Sequence, residues 1–200
     1  MNRLAETAYK ITEGDSLPED VAQLRELLDV EQSIYYLLGY PSGKIEYPVS
    51  QKTHPRDVSD NIGGAIHLLA KENPDVLVSM LEAVFQDPEK QGFAFTLSWT
   101  LAHLGYPGAM QLLCQGLKQK DQYVRWACCE GLKILKDPLT VPVLNRAALD
   151  RASLVRSCAV EALREFGDQS SLEVLKKRLN DPYPGIKTSA QEAIDAIEKR

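Results

Sequence analysis

The side chains best suited to chemistry in this 200-residue chain are four cysteines and three histidines. Cys128 and Cys129 stand side by side in "YVRWACCEGLKIL", residues 123–135, and adjacent thiols are candidates for metal ligation or redox chemistry. A metal centre wants more ligands than two. Cys114 and Cys158 give no Cys-x-x-Cys spacing, and His54, His67 and His103 fall outside the neighbouring positions of the repeat described below. Phosphate loops, Ser-His-Asp sets and paired catalytic carboxylates do not emerge at any recognisable spacing. The expectation is therefore no catalytic residue, no metal and no cofactor, and the meaning of the thiols passes to the elements that carry them.

Those elements recur along the chain at a fixed step. Val124–Arg125 is followed by Val155–Arg156 and then Ile186–Lys187. Glu130, Glu161 and Glu192 align, as do Leu132, Leu163 and Ile194, and Asp150 aligns with Asp181. Within a unit, Val124, Cys128, Leu132 and Leu135 share one helical face, with Asp121 as the N-cap. "KDP" at 136–138 breaks that helix, and a second begins near Thr140 with Pro142 in its first turn, where a missing N–H costs little. Its facing stripe is Val141, Leu144 and Ala148. Each unit is a helix pair too small to bury its own apolar face, so it must stack on its neighbours. The fold class expected is all-α: an α-solenoid of helix pairs with period 31 and an irregular helical N-terminal cap. Residues 1–60 form that cap, with a long loop over 41–60. Residues 61–200 form the array, in units of about 61–90, 91–120, 121–150, 151–180 and a partial 181–200.

Composition sets the broad class. A hydrophobic share of 44% with 26% charged residues is ordinary for a soluble folded chain. The net charge of -5 disfavours a general nucleic-acid binder. Residues 1–116 carry 8 Lys/Arg against 16 Asp/Glu, whereas residues 117–200 carry 15 against 12. An acidic partner thus belongs with the C-terminal half. The start lacks the pattern of a secretory signal, and "FAFTLSWTLAHLG" is too short for the roughly 20 residues of a membrane span, so reduced thiols in a cytoplasmic protein are expected.

The run apolar-Arg-x-x-small-small-Glu-small-Leu followed by Gly-Asp or Asp-Pro, best seen in "LVRSCAVEALREFGDQSSLEVLKKRLNDP" at 154–182, resembles the HEAT-like repeats of the phycobilisome-lyase type. The resemblance is strong over 121–200 and weaker over 91–120. It implies a non-catalytic protein-binding scaffold, adaptor or chaperone-like accessory protein that holds a client on its concave face. That client would be an acidic protein, a phycobiliprotein or another photosynthetic component, with a hetero-oligomer as one outcome. The first alternative is a subunit of a bilin lyase, with bilin as ligand, and the second is a HEAT-like protein that binds nucleic acid. Deoxyhypusine hydroxylase, another helical-repeat enzyme class, holds iron on paired His-Glu dipeptides, whereas the histidines here precede Pro, Leu and Leu.

The candidate contacts follow from the columns of the repeat. Cys128 aligns with Leu97, Ala159 and Ala190, an interior column, and Cys158 aligns with small residues that let stacked helices approach closely, so both read as core. In such arrays the second helices line the concave surface. Asn145, Arg146, Lys176, Lys177 and Arg178 then make a polar, mildly basic stripe for a partner. Trp99 and Trp126 add apolar area, and Trp99 replaces the repeated glutamate of later units, which implies a surface covered by residues 1–60 or by a partner. Arg125, Arg156 and Lys187 at the helix starts, with Asp137 and Asp168 at the turns, read as a charged ladder tying the turns together.

Overall fold

The computed structural model describes residues 75–86 and 94–200, and every regular element among them is helical. The cap expected over residues 1–60, its loop 41–60, and His54 and His67 lie outside the described residues. The chain divides into two compact units, Met1–Leu104 and Gly105–Arg200. The division falls inside the expected unit 91–120, between its two helices.

In the first unit, α1 (Asp75–Gln86) packs against α2 (Ala94–His103). Leu77, Met80, Leu81 and Val84 recur at helical spacing on α1 and are all buried, as are Ala94, Leu97 and Leu101 on α2.

The second unit contains α3 (Ala109–Gly116), α4 (Gln122–Leu135), α5 (Val141–Ala147), α6 (Ser153–Phe166), α7 (Leu172–Arg178) and α8 (Pro184–Glu198). The first helices α4, α6 and α8 begin one repeat apart at Gln122, Ser153 and Pro184, and so do the second helices α5 and α7, at Val141 and Leu172. α6 packs on both α4 and α8, and second helices pack beside them, α5 on α6 and α7 on α8. This is the stacking expected of a solenoid. Asp121 caps α4, accepting the Tyr123 and Val124 N–H groups at 2.8 and 3.0 Å. Lys136 ends α4 in the left-handed region at φ 51, and Asp137 then caps the 3-10 turn Pro138–Thr140. Of the predicted stripe, Val124, Cys128 and Leu132 on α4, Val141 and Leu144 on α5, and Ala148 at its end are at most 2% exposed, while Leu135, at the end of α4, is half-buried.

An arginine network ties one inter-repeat loop to the next. The Arg125 guanidinium donates from Nη1 to the Gln119 and Lys120 carbonyls in its own loop, at 2.9 and 2.6 Å. From Nε and Nη2 it also grips Asp150, in the next loop, at 2.7 and 2.8 Å. Arg156 repeats the arrangement in the following unit, with the Asp150 and Arg151 carbonyls at 2.9 and 3.0 Å and Asp181 at 2.7 and 3.0 Å. The ladder is real, but its acids are Asp150 and Asp181 and not Asp137 and Asp168. The latter two accept backbone N–H bonds from Leu139 and Ser170 instead. Arg125 and Asp137 sit near opposite ends of α4, about 18 Å apart at 1.5 Å per residue, beyond any side chain's reach.

The far ends of the first helices are tied by a second set. Lys133 reaches Glu161 at 3.1 Å, and at the equivalent place in the next unit Arg164 reaches Glu192 at 2.6 Å. Burial opposes the charge on Lys133, but its bonds to Glu130 and Glu161 leave its ammonium held above the ordinary lysine value. The glutamate column is therefore occupied, and Glu130 also pairs with Lys133 at 2.8 Å.

Candidate functional site

The thiols are core. Cys128 and Cys129 have no exposed surface and Cys158 is 2% exposed. Cys129 is as buried as Cys128, although its position lies one step round from the apolar stripe, because α6 packs over that side of α4. Burial pushes the Cys158 thiol well up, and the hydrogen-bonded Cys129 thiol pushes in the same direction. A thiol held protonated and dry is a poor nucleophile and a poor ligand. Cys114, on α3, is half-buried; burial raises its thiol too, against a smaller opposing pull from the Lys118 and Arg146 charges.

The stripe on the second helices separates into two kinds of residue. Arg146 and Lys176 are exposed and make no ion pair among the described residues. Asn145 is half-buried: its amide donates to Ser170 Oγ at 3.3 Å and its own Oδ1 is buried without a partner. Lys177 and Arg178 are committed within the unit. Lys177 pairs with Glu173 one turn back at 2.7 Å, and Arg178 leans on the fully buried Asp181 at 3.0 Å. The structure thus leaves Arg146 and Lys176 exposed on the second helices, keeps Asn145 half-buried, and pairs Arg178 with Asp181.

The two tryptophans lie in different units. Trp126 is half-buried on α4, and Trp99 is 37% exposed on α2. The Trp99 ring stacks on His103 with centroids 3.8 Å apart, and the His103 Nδ1–H donates to the Trp99 carbonyl at 3.0 Å. The cover expected for Trp99 from residues 1–60 falls outside the described residues. His103 is the one histidine among the described residues, and its ring is engaged with Trp99. No group of three or more His, Cys, Asp or Glu among the described residues is placed to hold a metal ion. The donors among the described residues do not fit iron held on His-Glu pairs. No helix among the described residues is long and apolar enough to cross a membrane.

Sequence reasoning missed the arginine–aspartate pairing, although its signal was present: Arg125 and Arg156 each precede an aspartate by 25 residues. It also missed that the inter-repeat loops gather cations. That pattern needed the helices to be antiparallel before loops distant in sequence shared one end.

Comparison with known proteins fixes the family and corrects the function. A family model described as HEAT repeats matches residues 74–152 and 111–195. Among curated proteins, the deoxyhypusine hydroxylase of Rattus norvegicus is 29% identical over 106 residues, covering 52% of this chain and 35% of that protein. The Aspergillus clavatus enzyme of the same name is 34% identical over 93 residues, 45% of this chain and 28% of that one. The Candida albicans enzyme is 28% identical over 133 residues, 65% and 42%. The chain spans about a third of the length of the curated relatives it matches. Among solved structures, an engineered protein from the Northeast Structural Genomics Consortium superposes with a TM-score of 0.52 at 16% identity, over 98% of this chain and 87% of that one, which speaks for the fold alone. Relatives named as hydroxylases overturn the expectation of a non-catalytic scaffold and that of a bilin lyase subunit. The phycobilisome-lyase type, the light-harvesting client and the nucleic-acid alternative find no support in them.

Proposed function

Given that this chain belongs to the HEAT-repeat family, we propose that it works within an enzyme of the deoxyhypusine hydroxylase type, as the repeat segment that holds the protein bearing the residue to be modified. The observation that carries this reading is the likeness, 28–34% identical over roughly half of the chain, to hydroxylases of that name from a mammal and two fungi. The division of labour rests on the residues. The described part of the chain supplies a stacked, arginine-braced surface with Arg146 and Lys176 exposed, Asn145 half-buried, and Lys177 next to Lys176. It supplies no donor set for iron, so no hydroxylation step is assigned to any described side chain. Trp126 is half-buried on α4, while Trp99 offers apolar area on the first unit. The free thiols suit a reducing compartment, and the proposed setting is the cytoplasm.

The test is calorimetric titration of the purified chain with a protein carrying deoxyhypusine and with the same protein carrying unmodified lysine. Binding at micromolar or better to the deoxyhypusine form, weakened at least fivefold by Arg146→Glu with Lys176→Glu, is the expected result. Equal affinity for the two forms, or no heat from either, would end the hydroxylase reading.

A further inference from the structure

The second unit is electrically polarised along its helices. Its inter-repeat end consists of the loops with their flanking turns, residues 117–126, 146–157 and 176–187. This end holds ten Lys/Arg against three Asp/Glu, a balance of +7. The rest of the unit, residues 105–116, 127–145, 158–175 and 188–200, holds five against nine, a balance of -4. These segments share one end because first helices begin there and second helices finish there, as the Arg125–Asp150 and Arg156–Asp181 bonds require.

Each loop region contains one aspartate, and each is used up internally. Asp121 accepts two backbone N–H groups of α4. Asp150 is held by Arg125 and by the Ala152 N–H. Asp181 is held by Arg156, Arg178 and the Tyr183 N–H. Lys118, Lys120 and Lys187 are exposed and make no ion pair among the described residues. The same end carries large apolar side chains left in solvent: Tyr123 at 50%, Leu149 at 50%, Leu154 at 38% and Tyr183 at 55%. Tyr123 and Leu154 occupy equivalent positions in successive units, and Leu149 and Tyr183 flank the next loops.

We infer that this loop end is a docking surface for an acidic protein segment that also bears aliphatic or aromatic side chains. Neighbouring helices pack roughly 10 Å apart, so three loops span about 20 Å, the length of an extended stretch of some six residues. Carboxylates on such a stretch meet Lys118, Lys120 and Lys187, and its apolar side chains cover Leu149, Leu154 and the tyrosines. Nucleic acid fits less well. Two of the four apolar groups are leucines, which offer no ring for base stacking, and the rest of the unit carries a balance of -4. The inference does not need the hydroxylase reading, because it concerns the loops and any acidic segment of this chemistry.

The test is fluorescence anisotropy of the full-length chain with a labelled ten-residue peptide alternating glutamate and leucine. Controls are a glutamate–serine peptide, a single-stranded DNA decamer and vesicles of phosphatidylserine with phosphatidylcholine. The expected result is saturable binding of the glutamate–leucine peptide that weakens with salt and is at least fivefold tighter than the glutamate–serine peptide. The triple variant Lys118→Glu, Lys120→Glu, Lys187→Glu should lose at least tenfold with its circular dichroism unchanged, and Tyr123→Ser with Leu154→Ser should lose severalfold. The inference is overturned if the peptide does not bind, if the charge reversals leave binding intact, or if DNA or vesicles bind more tightly than the peptide.

Discussion

Removing Asp181 should cost this protein more stability than removing its counterpart Asp150, and the structure sets the size of the gap. The Asp181 carboxylate has no exposed surface and accepts four hydrogen bonds: two from Arg156, one from Arg178 and one from the Tyr183 N–H. Breaking a buried pair by deleting one partner costs about 3–5 kcal/mol, because the remaining charge is stranded away from water. Asp181→Ala strands the guanidinium of Arg156, which is 7% exposed, and leaves Arg178 without its acceptor. Asp150 is 15% exposed and is gripped by Arg125 alone among the guanidiniums, so water can partly replace it, and about 2–3 kcal/mol is expected there. Urea unfolding at pH 7 followed by circular dichroism would measure both, with an unchanged m-value confirming that stability and not compactness has altered. Because neighbouring repeats unfold in part independently, amide exchange should show protection lost first in α6, the loop 179–183 and α8. Replacing the pair together, Arg156→Met with Asp181→Leu, should recover part of the loss, since two apolar groups leave no stranded charge. If Asp181→Ala costs under about 1 kcal/mol, or no more than the exposed control Glu173→Ala, the ladder is not what holds the loops together.

Stability should also fall steeply in acid. Hydrogen bonds from Arg156, opposed by burial, hold the Asp181 carboxyl below its usual range, and at Asp150 burial is outweighed by the bonds from Arg125 and the Ala152 N–H. Both contributions are therefore fully present above the unfolded carboxyl value of about 3.9 and are lost as pH falls through the lower folded values, which an acid titration of the wild type against Asp181→Asn would resolve. Lys136→Gly should raise stability by about 0.5–1 kcal/mol, since Lys136 holds φ 51 and gives up only an exposed ion pair with Glu165; a lower melting temperature would refute it. Gly167→Ala should destabilise by about 1–3 kcal/mol, because a Cβ there would collide with the Leu163 carbonyl oxygen, and thermal melts would show it. A thiol reagent should modify Cys114 alone in the native protein and the three buried thiols only in denaturant, as mass spectrometry would count; fast native labelling of Cys129 or Cys158 would contradict their burial.

The helices of the second unit were legible because their pattern recurs at a constant step. Asp121, the "KDP" break and Pro142 each mark a boundary, and α4, α6 and α8 begin where that step places them. The thiols could be read as filler for the same reason: Cys128 shares a column with Leu97, Ala159 and Ala190, and all four are buried. The ladder's acids were not read correctly, because a period identifies which residues are equivalent and not which columns meet. Asp137 and Asp150 recur equally well. Only the run of α4, and the return of the chain through α5 to the start of α4, decides that the second is in reach of Arg125. Function was less legible still. The repeated positions are those that stack one helix pair on the next, and any array with this core repeats them whatever it does. The likeness to proteins named as hydroxylases covers 45–65% of the chain, and no group of metal-holding side chains among the described residues announces it.

Charge shows how a periodic chain hides its surface from a residue count. The whole chain is at -5, yet one end of its second unit stands at +7. The cause is the ladder itself. An aspartate in every inter-repeat loop is spent on an arginine or on backbone N–H groups, so the acids that recur with the fold disappear from the solvent. Lys118, Lys120 and Lys187 beside them make no ion pair among the described residues and stay outside. Where bracing acids recur with the repeat and unpaired cations accumulate in the same loops, stacking more repeats lengthens a positive edge while adding little to net charge. The end that receives an acidic partner is thus a consequence of how the helix pairs are fastened, and weakening the fastening at Asp181 should disturb both together.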